Sequence, residues 1–106
     1  MNTRWDRLAR DLGAVDIPAR VDARSFPGGV SYSILLRTDA GLVGVHDKWW
    51  RKNPEIWIGW QVHTEDREGI VTKTWPITKK RSQVVAAVKE ATLMTIADNS
   101  GHGVSS

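Results

Sequence analysis

The chain contains no cysteine. That excludes disulfides, thiolate metal sites and cysteine nucleophiles, and it fits a reducing compartment. No apolar run approaches the roughly 20 residues needed to cross a bilayer. The opening Met1-Asn2-Thr3-Arg4-Trp5-Asp6 lacks the apolar stretch of a signal peptide, so the expectation is a cytoplasmic protein with no membrane partner. A phosphate-cradling glycine loop is also missing, because Gly28-Gly29 opens a strand pattern rather than a helix. Excess charge is small: 15 Lys and Arg against 12 Asp and Glu leave +3, a mild tilt toward anionic partners.

The three histidines, His46, His63 and His102, form no close motif with a carboxylate or a third ligand. His46 and Asp47 alternate along a strand pattern, which puts them on opposite faces and prevents a catalytic couple within that strand. Glu65, Asp66 and Glu68 lack the alternating oxygen spacing of a calcium loop. The expectation is therefore a non-enzyme with no catalytic residue, metal or cofactor.

What is present fits one small domain. At 106 residues, 41% hydrophobic and 25% charged, the chain can bury a single core. Trp5, Leu8 and Leu12 fall at helical spacing after Thr3, with Gly13 available to close a helix over residues 4–12. Residues 14–29, carrying Pro18, Pro27, Gly28 and Gly29, read as an irregular connector. Four strand patterns follow: 30–37, 42–50, a run through Ile56, Ile58, Trp60 and Val62, and 70–75 ended by Pro76. Turns fall at Asp39-Ala40-Gly41, at Arg51-Lys52-Asn53-Pro54 and in the acidic stretch 65–69. Thr78 then caps a helix over residues 79–97, with Val84, Val85, Val88, Ala91, Thr92 and Ile96 as its apolar stripe. The expected fold is α+β in the order α-β-β-β-β-α, a four-stranded antiparallel meander with helices packed on one face, spanning residues 1–97. A flexible tail is expected over 98–106.

Helices on one face leave the other face open. Strand alternation turns Val43, Val45, Trp49, Trp60 and Val62 inward, and Lys48, Trp50, Trp57, His46 and His63 outward. Trp50 and Trp57 can then pair across the hairpin beside Lys48, with Arg51 and Lys52 in the turn. Such a patch stacks bases and tracks phosphates. It also fits a cross-strand pair that stabilises the hairpin, or one covered by a second copy. A second basic group, Lys79-Lys80-Arg81, sits at a helix start, where the dipole disfavours cations unless an anion docks there.

An N-terminal helix, an antiparallel sheet and a last helix opening on Lys79 and Lys80 is similar to double-stranded RNA-binding domains. The resemblance implies that Lys79 and Lys80 hold phosphates across a groove. The chain departs from that family in having four expected strands rather than three and in lacking a glycine in Trp75-Pro76-Ile77-Thr78. The run Trp57-Ile58-Gly59-Trp60-Gln61-Val62-His63, with Lys89-Glu90-Ala91, resembles short accessory proteins of actinobacteriophages, which implies binding to a host protein. The expected function is a non-catalytic nucleic-acid-binding module using Lys48, Trp50, Arg51, Lys52 and Trp57, with Lys79, Lys80 and Arg81 as a second contact. The alternative is a protein-interaction module that binds a host protein or self-associates.

Overall fold

The computed structural model describes residues 3–105, with side chains through residue 93. The order is α1 (Thr3–Ala14), β1 (Val21–Phe26), β2 (Gly29–Thr38), β3 (Gly41–Trp50), β4 (Asn53–Asp66), β5 (Val71–Thr74) and α2 (Arg81–Ser105). The strands form one antiparallel sheet in the order β1-β2-β3-β4-β5. The class is α+β as expected, with five strands in place of four.

The additional strand is β1, in the stretch read as a connector. It pairs with β2 from Val21–Ile34 to Phe26–Gly29, so Pro27-Gly28 is the turn of a hairpin. Only Val21 and Asp22 of β1 are half-buried and the rest is exposed. A strand without a buried side carries no alternation in its sequence.

α1 buries Trp5, Leu8 and Leu12 completely. Its C-terminus closes through Asp16 rather than Gly13: Asp16 takes the left-handed conformation, and the Ile17 amide returns to the Leu12 carbonyl at 3.0 Å. α2 contributes Val84, Ala87, Val88 and Ala91. Between helices and sheet these side chains meet Ile34, Val43, Val45, Trp60 and Val62 in one core. The helix backbone runs on to Ser105, through most of the expected tail. Ile96 of the expected stripe lies outside the described side chains, and Ser106 outside the described residues.

Of the three register shifts along the ladders of β4, at Lys48/Trp49, Trp49/Trp50 and Thr64/Glu65, the first and the last bear on the faces of the site residues. Lys48 pairs with Gly59 and Trp49 with Trp57, so Ile58 is an extra residue in β4. This bulge brings Trp57 to the same side as Trp60. The last shift, between Thr64 and Glu65, sets Lys73 opposite Thr64 and Val71 opposite Glu65. Lys73 thus turns toward α2, where its Nζ lies 3.4 Å from Glu90.

Candidate functional site

The β3–β4 hairpin carries five of the eight expected site residues, Lys48, Trp50, Arg51, Lys52 and Trp57. Trp49 and Trp50 are 43% and 46% exposed at its end. Arg51 and Lys52 form the exposed turn, and Lys48 is half-buried one strand position earlier. Lys48, Trp50, Arg51 and Lys52 thus stand together at this end, whereas Trp57 turns to the helix side and Lys79, Lys80 and Arg81 lie at the start of α2. Trp49, expected inward, joins the exposed group because no helix covers this end of the strand.

Trp57 belongs to the helix side. Its ring meets Trp60 edge-on at 4.9 Å, and the Arg4 guanidinium lies 3.8 Å over its centroid. Its Nε1 donates to Asp47 Oδ1 at 2.8 Å, and Trp5 Nε1 donates to Asp47 Oδ2 at 2.9 Å. The expected Trp50–Trp57 pair across the open face does not form; Trp50 pairs with Asn53 instead. Asp47 was invisible as a structural residue because its two partners lie 42 and 10 residues away in sequence.

A cleft opens between the two projecting hairpins. The β2–β3 ladder ends at Ser33–His46, while β2 goes on pairing with β1 to Gly29 and β3 goes on pairing with β4 to Trp50. Beyond that point the strands part, and the backbone groups that face across the gap have no ladder partner. The space is about 720 Å³ and is lined by Phe26, Val30, Tyr32, His46, Trp49 and Pro54, among others. Phe26 is 54% exposed at its β1 edge.

On the open face His46 and His63 meet edge-on, with ring centroids 5.1 Å apart. His63 Nε2 donates to Glu65 Oε2 at 2.6 Å, and the ring lies over Gly44, where a Cβ would stand 2.3 Å from its Cε1. Burial, then the neighbouring His63 and Lys48, lower the His46 pKa below its usual value, against a smaller opposing effect of Asp47. No cluster of three or more His, Asp or Glu side chains arranged to hold a metal occurs among the described residues. Asp66 is occupied within its own turn, accepting from the Glu68 and Ile70 amides at 2.9 and 3.0 Å.

At the helix start Lys79 and Arg81 line one open hollow together with Asp11 and Ser82. α2 begins at Arg81, and the Lys80 carbonyl accepts from the Gln83 and Val84 amides, so Lys80 rather than Thr78 is the cap position. Thr78 instead accepts from the Lys80 amide at 3.1 Å, donates to Gln83 and bridges Trp60. Arg81 Nε donates to Asp11 Oδ2 at 2.8 Å. That carboxylate answers the charge conflict with the helix dipole that the sequence presents. Lys79 and Lys80 precede the helix and are exposed.

No helix among the described residues is long and apolar enough to cross a membrane. Comparison with protein-family models, with curated proteins and with solved structures finds no match for the chain.

Proposed function

We propose that the chain is a non-catalytic nucleic-acid-binding module whose contact surface is the outer end of the β3–β4 hairpin. The observation that carries this reading is the exposure of two adjacent tryptophans, Trp49 and Trp50, directly beside the exposed cations Arg51 and Lys52. Indole faces stack on bases of any sequence, and Lys and Arg track the phosphates. Lys48 extends the charge inward along β3. Lys79 and Lys80 supply a second phosphate contact, whereas Arg81 is already engaged by Asp11. Trp57 acts within the fold and is not part of the surface.

Fluorescence anisotropy at low salt with labelled single-stranded DNA, single-stranded RNA and duplex DNA tests the proposal. Trp50→Ala should weaken binding by about 1 to 3 kcal/mol if a base stacks there. Absence of binding to all three probes defeats it.

A protein-interaction reading draws on a separate observation: Phe26, Val30, Trp49, Trp50 and Ile56 are all exposed large apolar residues in the same two hairpins. Light scattering distinguishes it, since a dimer that Trp49→Ala dissociates favours a second copy as the partner.

A further inference from the structure

We infer that the cleft between the β1–β2 and β3–β4 hairpins selects single-stranded over double-stranded nucleic acid; the inference rests on the nucleic-acid reading above and specifies its ligand. Three features of the cleft lead to this.

The first is ring placement. Phe26 and Tyr32 border the cleft from one hairpin and Trp49 from the other. Phe26 and Trp49 are each about half exposed, so their rings are available to a ligand. In a duplex the base faces are covered by neighbouring base pairs, and only an unpaired, unstacked base can bring its face against such rings.

The second is the parted backbone. Past Ser33–His46 neither β2 nor β3 has a ladder partner across the gap. Within residues 29–32 and 47–50, which ladder to β1 and β4 on their other sides, the alternate amide N–H and carbonyl groups turned toward the gap therefore have no ladder partner there. They match the hydrogen-bonding edges that a base presents when it is not already paired.

The third is charge. Lys48, Arg51 and Lys52 flank Trp49 and Trp50 on the β3–β4 hairpin, next to the cleft residue Trp49. Asp47, the acidic residue among those lining the cleft, is occupied by the Trp5 and Trp57 indoles. Glu55 is the acid of the β3–β4 turn region. The cations at the hairpin end favour a polyanion lying against the outer end of the cleft.

The test compares one labelled 12-nucleotide single strand with the same strand annealed to its complement, by anisotropy at matched salt. Expected is at least about tenfold tighter binding of the single strand, reduced about tenfold or more by Phe26→Ala and by Trp49→Ala, with duplex binding nearly unchanged. Phe26 lies on an exposed strand outside the core, so its variant keeps the test valid if Trp49→Ala perturbs the hairpin. Equal or tighter duplex binding, or single-strand affinity unaffected by Phe26→Ala, overturns this inference and leaves the nucleic-acid reading standing. Failure of both probes to bind overturns both. A dimer that closes the cleft and dissociates in Trp49→Ala assigns it to a second copy and also overturns the inference.

Discussion

Asp47 faces the helices because β3 alternates through Val43 and Val45 on that side, and there it accepts the indole N–H of both Trp5 and Trp57. One carboxylate thus ties α1 to β3 and β4. Removing it leaves two part-buried donors without their acceptor, each at a cost of about 1–3 kcal/mol, so Asp47→Ala should lower stability by more than about 2 kcal/mol. Asp47→Asn retains one acceptor oxygen and should cost less. Trp57→Ala removes one of those bonds, the edge contact to Trp60 and the Arg4 stack, and should cost about 3 kcal/mol rather than the small amount a surface tryptophan costs. Urea melts of the three variants check this; a Trp57→Ala melt indistinguishable from wild type contradicts the assignment. His46 adds a pH dependence. Its lowered folded pKa means that the unfolded chain takes up the proton first as pH falls. Its contribution to stability is complete above the unfolded value near 6.5 and is lost as pH drops through the folded value, with a slope of at most about 1.4 kcal/mol per pH unit for one proton. His46→Gln should flatten the change in urea midpoint between roughly pH 7 and pH 5.

At the scale of elements, legibility in the sequence followed burial. The helices and the middle of β2, β3 and β4 were readable because Leu8, Ile34, Val45, Trp60 and Val88 repeat at the period of the element that buries them. β1 was not, since Ala23, Arg24, Ser25 and Phe26 are all exposed and leave no period to read. Trp57 was assigned to the wrong face because alternation assumes an unbroken ladder, and the extra residue Ile58 inverts its parity relative to Trp60. Gly59 marks that break. Its φ is +137°, and a Cβ there would stand 2.5 Å from the Thr78 carbonyl oxygen. Gly59→Ala should therefore cost about 2 kcal/mol or more, through backbone strain and through displacement of the 77–78 segment that leads into α2. Thermal melts with a matched control, Gly13→Ala, where a Cβ meets nothing within 4 Å, check the claim. Similar losses in the two variants would show that the bulge geometry is not specified by glycine.

Taken as a whole, the molecule separates stability from its open surfaces. Helices, core and the Asp47 bonds occupy the middle and one side of the sheet, while the exposed cations Arg51 and Lys52 lie in the turn at the hairpin end. Removing exposed charges at that end should leave folding nearly unchanged, because substitutions outside buried networks usually stay within about 0.5 kcal/mol. Binding should respond instead. Each phosphate contact releases counterions, so the dependence of log affinity on log salt should lose about one unit of slope for each contacting cation replaced. The double replacement Arg51→Ala with Lys52→Ala should accordingly flatten the slope by about two, with an unaltered urea midpoint. Arg81→Ala should do the reverse: its guanidinium is held by Asp11 between α1 and α2, so the midpoint should fall modestly while the salt slope stays as it was. Titrations at four salt concentrations, paired with melts of the same preparations, check both halves. If Arg81→Ala flattens the slope as much as the hairpin pair does, the phosphates lie at the start of α2, and the hairpin end is not the principal contact.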